Sequence, residues 1–161
     1  MLNFDFSFTK NSRAVNSLSL GHLIVVGSEK TMSSKDKYPS QAFMVLPSIT
    51  YLLDDIRTLV GLRVGNEFCF TGLDSSFALI FRRKSTDVIE VIYDQQIISI
   101  SQVSDLVASI WKAVKTILNN YNMSVASESN PNNGNSPAED AVIIDLTAAM
   151  KQFEDAFRLE V

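Results

Sequence analysis

The chain has 161 residues, 46% apolar and 20% charged, with ten Phe; this suits one globular core, leaves little room for two, and argues against disorder of the whole chain. One cysteine rules out an intramolecular disulfide, and one histidine rules out a multi-histidine metal site within a single chain. A net charge of −4 and no broad basic stripe speak against nucleic acid as a partner.

Leu2, Phe4, Phe6 and Phe8 alternate with polar residues, the period of a half-buried strand. The same segment lacks the basic region and long apolar run of a signal peptide, and no stretch reaches the roughly 20 apolar residues of a membrane helix, so cytoplasmic residence without membrane contact is expected. Asn11-Ser12-Arg13 predicts a turn into a second strand over 18–26. The polar stretch 27–41 reads as a mobile loop, and a third strand is expected at 42–46.

Pro47 suits the first turn of a helix. Ile49, Leu52, Leu53, Ile56, Leu59 and Val60 then form one helical stripe that ends before Gly61. Strands follow at 67–71, 76–82, 88–93 and 96–100, joined by short turns that imply antiparallel pairing.

Ser101 or Ser104 is the expected cap of a helix running to Asn119-Asn120. Residues 122–137, with Asn130-Pro131-Asn132-Asn133-Gly134-Asn135 at their centre, read as a flexible linker. Ser136, Pro137 and Glu139 predict a capping-box start for a last helix over about 138–158, with Val142, Leu146, Ala149, Met150, Phe153 and Phe157 at helical spacing. The expected fold is α+β: a mostly antiparallel sheet of about six or seven strands with three helices packed on it. Residues 1–121 form the core domain, 122–137 the linker, and 138–161 an amphipathic helix that docks on the core.

Few residues carry reactive chemistry. His22 begins an apolar run and reads as a structural or edge histidine. Cys69 alternates with Phe68 and Phe70 and reads as a buried or half-buried inert thiol, with neither a cation nor a helix N-terminus nearby in sequence. The pairs Asp54-Asp55, Glu139-Asp140 and Glu154-Asp155 diverge by about 100° on a helix and are no ready-made acid–base dyads. Arg82-Arg83-Lys84 reads as a charged turn, and Trp111 as a core-edge residue. Glycine-rich phosphate motifs are absent from the sequence. No enzyme activity, metal or cofactor is expected.

The segments MVLPSITYLLDDIRTL, FCFTGLDSSFALIFRRKSTDVIEVIY and SDLVASIWKAVKTIL resemble in layout the small immunity proteins encoded beside bacterial polymorphic toxins, including those of contact-dependent inhibition systems. The resemblance implies a non-enzymatic protein that binds a cognate toxin and blocks it. Many such toxins are basic nucleases, and an acidic face would steer association with one.

The charge is unevenly spread. Residues 1–115 hold 12 basic against 11 acidic residues, and 116–161 hold 2 against 7. Glu139, Asp140, Glu154 and Asp155 on the last helix are therefore the candidate partner-binding residues, diluted by Lys151 and Arg158. Two other readings stay open: a binding or adaptor domain that dimerises through a sheet edge or the last helix, and a small-ligand binder.

Overall fold

A computed structural model describes residues 1–10, 14–127, 134 and 136–159. The expected turn at Asn11-Ser12-Arg13 lies outside the described residues, as does most of the asparagine-rich run at 130–135.

Strand β1 (Asn3–Phe8) pairs antiparallel with β2 (Leu20–Val26), setting Phe4 opposite Val25 and Phe6 opposite Leu23. These four side chains are buried while Asp5 is exposed, as the alternation predicts. The far edge of β2 carries two short strands, β3 (Thr31–Ser33) and β4 (Phe43–Met44). The predicted loop at 27–41 is thus partly ordered: it contains β3 and a single 3-10 turn at Ser34–Asp36. A three-residue strand with one buried side chain, Met32, is too short to leave a periodic signal.

The strand expected at 42–46 is cut to two residues because Val45 already opens α1 (Val45–Gly61). Pro47 lies in its first turn, where a missing N–H leaves no helical bond unmade. Ile49, Leu52, Leu53, Ile56 and Leu59 are fully buried, and Val60 is half-buried.

The second half of the chain folds into a meander of β5 (Glu67–Thr71), β6 (Ala78–Arg83), β7 (Val88–Tyr93) and β8 (Gln96–Gln102), paired antiparallel in that order. Asp94 and Gln95 link β7 to β8 with φ of 49° and 62°, the two left-handed residues of a tight type I′ hairpin. The class is α+β, and the described residues hold eight strands divided between two four-stranded sheets. Both sheets contribute to one core: Phe4 of β1 stacks on Phe81 of β6 with centroids 6.4 Å apart, and Phe43 of β4 on Phe77 at 5.2 Å.

Helix α2 (Val103–Ser127) starts directly where β8 ends. Neither predicted cap is used, since Ser101 still belongs to β8 and Ser104 already to the first turn of α2. The helix also outruns its predicted end at Asn119-Asn120, so residues 122–127 are helical rather than linker. Buried Tyr121 continues the apolar stripe, and the hydroxyl of Ser124 donates to the carbonyl of Asn120 at 2.9 Å. Helix α3 (Pro137–Phe157) has the expected capping box: the Glu139 N–H donates to Ser136 Oγ, and the Ser136 N–H to the Glu139 carboxylate at 2.6 Å. It packs along α1, and Leu146, Ala149 and Phe153 join the common core.

The turn between β2 and β3 latches the two sheets together. The N–H groups of Glu29 and Lys30 donate to the carbonyl of Ile98 in β8 at 3.0 and 3.1 Å, and the Ile100 N–H donates to Ser28 Oγ at 3.1 Å. Gly27 makes this approach feasible, because a Cβ there would collide with the Ile98 carbonyl. Gly27→Ala is expected to cost about 1–3 kcal/mol through overpacking, read as a lowered midpoint in thermal denaturation.

Candidate functional site

The two most reactive side chains lie on different sheets and each has a local explanation. His22 is half-buried on β2 with its Nδ1 3.0 Å from Ser34 Oγ, which also accepts the Leu23 N–H at 3.1 Å. Burial, and then the nearby Lys35 ammonium, push the imidazole below its ordinary pKa of 6.5. The folded state therefore favours the neutral ring. Its stabilising contribution is complete above about pH 6.5 and is lost as the pH falls through the folded value. His22→Gln is expected to flatten the stability profile on the acid side of that pH, as measured by urea unfolding across a pH series.

Cys69 is exposed rather than buried. β5 is an edge strand, and the residue alternating away from Phe68 and Phe70 faces solvent instead of a packing layer. Desolvation of the sulfur, and then the carboxylates of Glu67 and Asp55, push its thiol upward, opposite to what a nucleophile requires.

The basic run belongs to the architecture. Arg83 reaches back to the C-terminal end of α1, where its Nη1 donates to the carbonyls of Val60 and of Leu62, the latter at 2.6 Å, while Nη2 donates to Thr86 O at 2.8 Å. Arg82 bridges Glu67 at 2.9 Å and Glu90 at 3.6 Å, and Lys84 holds Glu90 at 3.0 Å, which neutralises a buried carboxylate. Trp111 is buried and stacks on Phe153 at 5.8 Å.

Asp54 and Asp55 are both half-buried. Burial, and then the Asp54 charge, push the Asp55 carboxyl above its ordinary range. Among the described residues no group of three or more His, Cys, Asp or Glu side chains is arranged to hold a metal ion, and no helix is long and apolar enough to cross a membrane.

The four predicted interface carboxylates do not form one patch. Glu139 and Asp140 sit in the first turn of α3 and Glu154 and Asp155 in the last, about 22 Å apart at the helical rise per residue. Glu139 is half-buried and its carboxylate is engaged by the Ser136 N–H. Its carbonyl also accepts the buried Ser17 hydroxyl at 3.1 Å, tying the helix start to the first sheet's connection. Glu154 is half-buried, and its carbonyl closes the helix by accepting the N–H groups of Arg158 and Leu159. Asp140 and Asp155 are exposed, and their carboxylates form no hydrogen bond or ion pair with a described residue. Asp145 is likewise exposed and without such a partner; helical geometry sets it about 80° from the buried line, on the flank rather than the outer face, so periodicity does not single it out.

Two clefts among the described residues could receive side chains of a partner. One, of about 450 Å³, has Val60, Val103, Val107, Phe157 and Leu159 on its walls. The other, of about 510 Å³, separates Tyr51 and Asp55 of α1 from Cys69 and Thr71 of β5, with Asp74 at one end.

The geometry thus defines an α+β domain with two antiparallel sheets and an acidic surface helix. Comparison with family models, curated proteins and solved structures gave no match to this chain.

Proposed function

We propose that this chain is a non-enzymatic protein-binding domain, an immunity-type protein that neutralises a cognate bacterial toxin by forming a stoichiometric complex with a basic toxin domain. The observation that carries the reading is the charge on α3. The helix holds five carboxylates against one lysine, and Asp140, Asp145 and Asp155 are exposed with no counter-charge from a described residue. Unpaired surface carboxylates raise the rate of encounter with a basic partner far more than they stabilise the fold. The layout resemblance to immunity proteins narrows the partner to a toxin.

Mixing the chain with the toxin domain encoded beside it, followed by light scattering after gel filtration, is expected to give a one-to-one complex. Its dissociation constant should rise steeply with salt, because the attraction is screened over about 10 Å at 0.1 M. Asp145→Lys/Asp155→Lys should slow association without lowering the melting temperature. Absence of a complex at micromolar concentration would overturn the proposal, as would turnover of a substrate by the pure chain.

A further inference from the structure

The two sheets treat their edges unequally. The outer edge of β8 is covered by the Ser28–Lys30 turn, and on the outer edge of β1 the Phe4 N–H donates to Ser109 Oγ of α2 at 3.0 Å. β5 has no such cover. Its bonding phase is fixed at both ends: the Arg83 N–H donates to Asn66 O, and the Gly72 N–H to Phe77 O, both at 2.9 Å. In an antiparallel ladder that phase turns residues 66, 68, 70 and 72 toward β6. The N–H and C=O groups of Glu67, Cys69 and Thr71 therefore point outward. No hydrogen bond from a described residue reaches them, and all three residues are exposed.

Apart from its short length and the charge of Glu67, the strand carries little of the usual protection of an edge. Its sequence, Glu-Phe-Cys-Phe-Thr, contains no proline, no lysine and no bulge. Alongside it runs the 510 Å³ cleft walled by Tyr51 and Asp55, with Asp74 at one end and no lysine or arginine in its lining. On the outer face of the sheet the register aligns Cys69, Ile80, Ile92 and Ile97 in one cross-strand row, of which Ile97 is exposed.

We propose that β5 accepts an extended segment of a partner protein as a fifth strand of its sheet. The segment's basic residues would lie against Asp55 and Asp74, and its alternate aliphatic residues would prolong the Cys69–Ile80–Ile92–Ile97 row. Five residues of β5 offer a pairing length of about 17 Å. The backbone groups supply affinity, and the alternation supplies selectivity. A second copy of this chain fits less well, because self-pairing would bring two acidic clefts together. The inference rests on the protein-binding reading and names the element of the partner that is held.

The test is a titration of the isotope-labelled full chain with acetyl-Lys-Val-Lys-Val-Lys-Val-amide, followed by NMR. Binding should move the amide signals of Glu67, Cys69 and Thr71 and slow their exchange by about tenfold or more. The counterpart with glutamate in place of lysine should leave them unchanged. Asp55→Asn/Asp74→Asn should weaken the lysine peptide about tenfold, the loss of roughly 1.4 kcal/mol. Cys69→Pro, which removes an outward N–H and spares the ladder to β6, should abolish binding; the paired Asn variant covers the case in which that proline disturbs the strand.

No response at millimolar peptide, equal response to both peptides, or shifts confined to α3 would overturn the proposal. So would dimerisation of the free chain through the same amides. A toxin complex whose footprint lies on α3 alone would remove strand addition and leave the immunity reading standing. Peptide capture at β5 without any toxin complex would do the reverse.

Discussion

Phe153→Ala is expected to lower the free energy of unfolding by about 3–5 kcal/mol, the largest effect among single substitutions considered for this chain. Phe153 is fully buried, stacks on Trp111 of α2 with ring planes 20° apart, and meets Phe157 at 4.7 Å. It ties the last helix to α2 and shares the buried line of α3 with Leu146 and Ala149. Removing the ring leaves a cavity beneath α3 that α1 and α2, each packed against the sheets, cannot close. Trp111 is the only tryptophan, so its emission reports this event directly. Chemical denaturation followed by fluorescence should show a lower midpoint and a red-shifted native baseline. Ile144→Ala, on the exposed side of the same helix, should change stability by less than about 0.5 kcal/mol. Equal effects of the two substitutions would mean that α3 is not held by its buried line.

Arg83→Met is expected to cost about 2–4 kcal/mol, since charge-assisted hydrogen bonds are worth roughly 1.5–3 kcal/mol and half-buried carbonyls would lose their donor. α1 has no basic residue in its last turn to offset the partial negative charge of its carbonyl end. Arg83 supplies that charge from the second sheet, with one guanidinium spanning the carbonyls of Val60, Leu62, Ser85 and Thr86. Arg83→Lys should recover little, because a single ammonium cannot reproduce a planar fork that serves both sides of the group. Thermal melts give the size of the loss. Faster amide exchange around Leu59–Leu62 would locate it, and protection unchanged there would refute the account.

The features legible in the sequence were those with a local period or a local cap. The Leu2–Phe8 alternation specified β1 with its buried face, the stripe from Ile49 to Val60 specified α1, and Ser136 with Glu139 specified the start of α3. The features that escaped depend on partners far along the chain. β3 exists because β2 offers an edge beside it, not because Thr-Met-Ser favours a strand. Division of the strands into two sheets cannot be read from periodicity, since both sheets bury alternate residues in the same core. Arg82, Arg83 and Lys84 read as a charged turn until α1 and Glu90 are brought beside them. Cys69 reads as buried or half-buried, yet it is exposed, because strand order, which puts β5 at an edge, is not encoded in its neighbours. The acidic character of α3 was visible in composition. The use of Glu139 as a cap was visible as well, and it removes that residue from the set of free carboxylates.

The N-terminal hairpin is closed by residues that the chain delivers late. The Phe4 N–H bonds Ser109, 105 positions away, and the Ser17 hydroxyl bonds the Glu139 carbonyl, 122 positions away. On a ribosome that adds about 5–20 residues per second, β1 and β2 would wait several seconds with their phenylalanine face open before α2 and α3 emerge. Such an interval makes the nascent hairpin a natural client for a chaperone.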